Sequence, residues 1–230
     1  MHYKIHSLLY RKDILTAIQL FKELRYLIDA LPGWVEKKKN WLIAHPSKKI
    51  IALNELGFSE DALAYVDYLI VRKKPINIVL ADENEDDSTI TILYKNTPSI
   101  SIDRYLLMVT IKSLSGYNDV DDFVNIFKAM INYNWWYFRY ILLDTEQYRF
   151  NQREVFDDRL PVGWMLYLPV KIKHEHVPSA FKVFDIEKNS GTIVVSKSVF
   201  DGKEPFDITC ANNVEIELAA NGLLPLIKGL

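Results

Sequence analysis

The chain has 230 residues, 49% of them hydrophobic and 25% charged, an ordinary globular composition with enough apolar material for a sizeable core. Its 28 basic and 30 acidic residues leave a formal net charge of -2, which gives no global attraction to nucleic acid or to an anionic membrane. One cysteine, Cys210, excludes an intramolecular disulfide and fits a reducing compartment.

The N-terminus, Met1 to His6, runs straight into patterned sequence, with no secretory signal and no apolar run long enough for a membrane span, so the expectation is a cytoplasmic protein. Tyr3 to Leu9 predicts a strand. Asp13 stands where an N-cap belongs, and Ile14, Ile18, Phe21, Leu24 and Ile28 follow at helical spacing as far as the stop Leu31-Pro32-Gly33. Trp34-Val35 and Trp41-Leu42-Ile43 predict short strands around Glu36-Lys37-Lys38-Lys39, a solvated turn. Ser59 caps a second helix whose apolar face is Ala62, Tyr65, Val66, Leu69 and Ile70, with Pro75 just past its end.

Ile76 to Leu80 and Thr89 to Lys95 predict a hairpin. Its tip carries the acidic run Asp82, Glu83, Glu85, Asp86 and Asp87. Tyr105 to Ile111 is apolar at nearly every position, which predicts a central strand. Asn118-Asp119 caps a third helix with the stripe Val120, Phe123, Val124, Phe127, Met130 and Ile131, and its first-turn carboxylates favour the helix dipole. Trp135 to Leu142 predicts a buried strand. Arg159 to Pro169 reads as a strand buried on both faces, since it is short, apolar and closed by prolines. Phe181 to Ile186 and Thr192 to Ser196 form a second hairpin with a glycine in its turn. Asp207 to Asn221 keeps a helical face through Ile208, Ala211, Val214 and Leu218, and Asn221-Gly222 stops it.

Strands, hairpins and about four helices without regular alternation predict an α+β fold: one domain over residues 1–230, with a largely antiparallel twisted sheet and the helices on one face. The two halves carry helix, hairpin, strands and helix in loosely similar order, the outline of a pseudo-repeat.

The sequence carries no dinucleotide fingerprint, no phosphate-binding loop, no zinc-protease helix and no nucleophile elbow, so it points to no catalytic residue, metal or cofactor. On a strand, His174 and His176 would share a face suited to chelation, but two ligands do not make a site. Cys210 lies in an apolar helical face, where packing is the simpler role. The acidic run has one functional reading beside that of a solvated tip. Carboxylates displayed where phosphates would go can steer association with a basic partner protein. Trp34, Trp41, Trp135 and Trp136 are candidate interface anchors, with the core as the simpler expectation.

Arg159-Leu160-Pro161-Val162-Gly163-Trp164-Met165-Leu166-Tyr167-Leu168-Pro169 resembles the signature of the immunity protein 52 family of bacterial polymorphic toxin systems. Gly191 to Ser196 with Phe200-Asp201, and Ala211-Asn212 with Glu215-Ile216, Leu218 and Gly222 to Pro225, fit the same pattern, as does Leu27 to Trp34. The resemblance implies a small α+β protein that binds a cognate secreted toxin domain, often of nuclease type, and neutralises it stoichiometrically. It needs no turnover, no direct nucleic-acid contact and no membrane. Arg159, Gly163, Trp164, Tyr167, Pro169, Asn212, Glu215 and Gly222 are the signature positions, expected to hold the scaffold, whereas toxin contact is expected on exposed loops. The competing readings are an enzyme with scattered site residues and an adaptor that takes a peptide on a sheet edge.

Overall fold

The computed structural model describes residues 2–11, 13–32, 40–45, 49–54, 57–82, 90–96, 101, 103–112, 119–145, 148 and 152–230. The strands are β1 (His2–Tyr10), β2 (Trp41–Ile43), β3 (Ile50–Asn54), β4 (Gly57–Phe58), β5 (Ile76–Asp82) and β6 (Ile90–Asn96). They continue as β7 (Arg104–Lys112), β8 (Tyr137–Thr145), β9 (Met165–Leu168), β10 (Lys182–Ile186) and β11 (Gly191–Val195). The helices are α1 (Ala17–Asp29), α2 (Glu60–Val71), α3 (Val120–Asn132) and α4 (Pro205–Ala220). Among the described residues the strands make one sheet of 11, ordered β10-β11-β9-β8-β1-β7-β6-β5-β2-β3-β4. Every neighbouring pair in it is antiparallel. The fold is therefore α+β, as the mixed element order predicts.

The N-terminal strand sits in the middle of this sheet. β1 pairs with β7 through nine positions, from His2↔Lys112 to Tyr10↔Arg104, and with β8 on its other side. Along β1, Tyr3, Ile5 and Leu9 enter the main core with α1, α2 and α3. On β9 the alternation splits the burial in two. Met165 and Tyr167 join the main core, while Leu166 and Leu168 join a second cluster with Val214 and Leu218 of α4. Strand residues alternate between faces, so α4 covers the face opposite α1–α3, and the helices do not share one face as the element order predicts. The sheet is thus covered on both sides at its β8-β9-β11 end. That end explains why the Arg159 to Pro169 stretch reads as apolar throughout, although the strand itself occupies only Met165–Leu168.

Caps set the helix starts. Ser59 accepts from the Ala62 N–H at 3.1 Å, and Asp119 accepts from the Asp121 N–H at 2.9 Å, both as the sequence predicts. α1 differs. Its cap is Thr16, which accepts from the Gln19 N–H at 3.1 Å. Asp13 is drawn instead into an ion pair with Arg11. The helix begins one turn later than predicted, and Ile14 and Ile18 are exposed. β3 and β4 have no counterpart among the predicted elements. Trp135 lies outside the β8 strand and is exposed, while Trp41 and Trp136 are buried. Trp34-Val35 and the lysine turn fall outside the described residues.

α4 ends in a Schellman turn. Gly222 takes φ +68°, its N–H donates to Ala219 O at 3.0 Å, and the Leu223 N–H donates to Leu218 O at 2.8 Å. The second hairpin holds another difference. Its turn residue with positive φ is Ser190, at +50°, whereas Gly191 is the first residue of β11 with φ -91°.

Candidate partner-binding face

Helices α1–α3 cover one face of the sheet along its whole length, but α4 covers the other only at one end. From β7 outward no described helix joins a core on the second face, while His6 and Leu8 of β1 are buried on it. On it β1 presents Lys4, His6, Leu8 and Tyr10, while β7 presents Arg104, Leu106, Met108, Thr110 and Lys112. β6 adds Thr91, Leu93 and Lys95, and β5 adds Asn77, Val79 and Ala81. The register aligns these side chains into rows across the strands. One row runs Val79, Leu93, Met108, His6 and ends on Leu142, inside the second core. The next runs Asn77, Lys95, Leu106, Leu8 and Tyr140.

The centre of this face is apolar and half-buried at Val79, Leu93, Leu106 and Met108. Around it stand Lys95 and Arg104, both exposed, and Lys4 and Lys112, both half-buried. Among the described side chains that β1, β5, β6 and β7 present here, none is a carboxylate. At the β8 border a bulge displaces Arg139, whose guanidinium lies 5.2 Å from the ring centre of Tyr10. A chain of formal net charge -2 thus carries a locally cationic face with an apolar middle. No single residue announces it, because the pattern exists only once four strands are in register.

The signature positions lie elsewhere, in the doubly covered end. Gly163 has φ +57°, and a Cβ on it would stand 3.0 Å from Leu143 O. Trp164 is fully buried. Its indole N–H donates to Lys197 O at 2.8 Å, and its ring packs against Phe123 and Tyr3. Arg159 donates to Leu224 O at 2.7 Å, tying the stretch to the C-terminal segment. Glu215 is buried and accepts from the Val155 and Phe156 N–H groups at 2.9 and 3.2 Å, and Tyr148 donates to Asn212 at 3.1 Å. Burial raises the Glu215 pKa, and these backbone donors oppose the rise. Burial, then the neighbouring Glu215, push Tyr148 far above its usual range. Tyr167 packs on Gly191, and Pro169 follows the last residue of β9.

A second polar group sits under α1. Arg11 is buried, with Nη1 2.5 Å from both Glu23 oxygens and Nη2 2.6 Å from Asp13. Glu23 also accepts from the indole N–H of Trp136 at 3.0 Å. Burial alone would lower the Arg11 pKa. The surrounding Tyr94, Glu23 and Asp13 more than reverse this and hold it charged. Burial pushes Tyr94 well above its usual value. The network borders a cavity of about 290 Å³ lined by Arg11, Asp13, Leu15, Ile70, Ile76 and Tyr105, among others. Nothing in the local sequence pairs residues 11 and 23 with residues 94 and 136; the packing of α1 on the sheet does.

Of the acidic run, Asp82 is the last residue of β5, and Glu83, Glu85, Asp86 and Asp87 lie outside the described residues. β5 and β6 do pair as the predicted hairpin. His174 to His176 form a single 3-10 turn and not a strand, so the two imidazoles are not displayed on one pleated face, and His176 Nδ1 instead accepts from the Lys173 N–H at 3.2 Å. Among the described residues no group of three or more His, Cys, Asp or Glu is placed to hold a metal ion. Among them, too, no helix is long and apolar enough to cross a membrane.

No family model and no curated protein matches this sequence. Among solved structures the chain is similar to the Pseudomonas aeruginosa T6SS protein PA0821, at 11% identity and a TM-score of 0.53. The match covers 94% of this chain and 73% of that one. At this identity the likeness is one of fold, and it spans nearly the whole chain.

Proposed function

We propose that this chain is an immunity protein of a bacterial toxin system, which binds a cognate secreted toxin domain and neutralises it in the cytoplasm by stoichiometric inhibition. The observation that carries this reading is the fold shared with a T6SS protein over 94% of the chain. The resemblance of Arg159 to Pro169 to the immunity protein 52 signature points the same way, and it also suggests a nuclease as the toxin. Arg159, Trp164 and Glu215 spend their polar groups on backbone atoms of this chain and Asn212 accepts from Tyr148, the pattern expected of a scaffold that leaves its other surfaces for a partner. Such a protein needs neither turnover nor cofactor. The acidic segment Asp82 to Asp87 is a further candidate contact for a basic patch on the toxin.

The test is co-expression with the toxin domain encoded beside this chain's gene. Protection of the cells, with a one-to-one complex on gel filtration, supports the reading. Unprotected cells and no complex overturn it.

A further inference from the structure

We infer that the open sheet face formed by β5, β6, β7 and β1 is the docking surface, and that it takes a protein surface with an apolar centre and an acidic rim. This deepens the immunity reading and rests on it, since the partner is then the toxin domain.

Three occupants compete for such a face, and the residues separate them. The first is a second copy of this chain. A symmetric self-contact would bring Lys4, Lys95, Arg104 and Lys112 of one copy against the same cations of the other, with no carboxylate among the described side chains of those four strands on this face to pair them. Like charges brought together at an interface cost affinity. The second is a single-stranded nucleic acid. Sheets that bind one use exposed rings on which bases stack. On this face the described side chains of β5, β6 and β7 include no aromatic, and of the two rings that β1 adds, His6 is buried and Tyr10 is already covered by the Arg139 guanidinium. The third is an acidic protein surface. It satisfies both features, since its apolar centre covers Val79, Leu93, Leu106 and Met108 while its carboxylates reach the four cations. A well-packed apolar centre within a polar rim is the usual anatomy of a protein interface.

With strands about 4.8 Å apart and about 3.3 Å per residue, the four strands β5, β6, β7 and β1 span roughly 19 by 25 Å, about 480 Å², a contact smaller than the roughly 800 Å² per partner of a standard interface. The second core walls one side, where Leu142 and Tyr140 end the rows.

The test uses the toxin domain encoded beside this gene as the probe, with two variants of the full chain. Lys95→Glu/Arg104→Glu reverses two exposed charges and leaves the core alone. Met108→Glu puts a carboxylate in the apolar centre. Stopped-flow association and gel filtration are read with thermal melts alongside. The proposal expects the double reversal to slow association at low salt by about tenfold or more and to flatten its salt dependence. Met108→Glu is expected to speed dissociation at an unchanged melting temperature. If both variants fold and bind as the wild type does, the face proposal falls while the immunity reading stands. A wild-type chain that forms no complex ends both. A wild-type chain that dimerises through Met108, or binds a single-stranded RNA oligonucleotide through Lys95 and Arg104, also overturns the proposal.

Discussion

Gly191 lies against the ring of Tyr167, so close that a Cβ built on it would clash with Cε2 and stand 2.6 Å from the hydroxyl oxygen. The glycine is there for space and not for backbone freedom, since its φ of -91° suits any residue. Gly191→Ala should therefore overpack the seam between β9 and β11 and cost about 1–3 kcal/mol. Tyr167→Leu removes the obstructing ring. Urea unfolding of the two single variants and the double should show a double variant more stable than the sum of the two losses.

Glu215 gives a pH-dependent prediction. Its folded pKa is raised above the ordinary 4.5. The linked stabilisation is then fully present below the unfolded pKa and is lost as pH rises through the raised value. Glu215→Gln keeps an acceptor for the Val155 and Phe156 N–H groups but has no proton to lose. Its stability should fall less than that of the wild type as pH rises above the ordinary 4.5, measured by urea unfolding. Glu215→Ala strands both donors and should cost about 1–3 kcal/mol for each.

The Arg11–Glu23 pair has both side chains fully buried. Arg11→Met leaves the Glu23 carboxylate without its cation and should cost about 3–5 kcal/mol. Adding Glu23→Gln removes the stranded charge, and the amide oxygen still accepts from Trp136. The double variant should be more stable than Arg11→Met alone, an inversion that thermal melts would show directly.

The cap of α1 can be tested by exchange. Thr16→Ala should cost about 1 kcal/mol of stability, because it frees the Gln19 N–H. Asp13 makes no cap bond. Removing it should act through Arg11, and the loss should largely vanish in an Arg11→Met background. Equal losses in both backgrounds would return Asp13 to the role that the sequence pattern suggests.

Trp164→Ala should cost about 3–5 kcal/mol, since it empties a fully buried ring site and strands the Lys197 carbonyl. Toxin binding should weaken only as folding is lost. A Trp164→Ala chain with a wild-type melting curve and no binding would move the contact surface to the signature stretch.

The sequence by itself determined what depends on near neighbours. The stripe of α3 and its Asp119 cap, the Ser59 cap, both hairpins and the Gly222 stop are set within a few residues of chain, where side-chain period and turn chemistry act. It also determined the α+β class, because many hairpins with few regular alternations leave little else. Tertiary structure decided what depends on pairing across the chain. Asp13 left the cap because a buried Arg11, held by Glu23 from α1, offered it a stronger partner. β3 and β4 are too short to show a period of their own. The place of β1 between β7 and β8 follows from contacts about a hundred residues apart. The cationic open face needs the parity of four strands at once, and one register fixes them all. The Arg159 to Pro169 stretch is legible in sequence because both faces of the strand it contains are buried. The open surface is less visible in sequence because its apolar and charged residues alternate along separate strands and meet only across them.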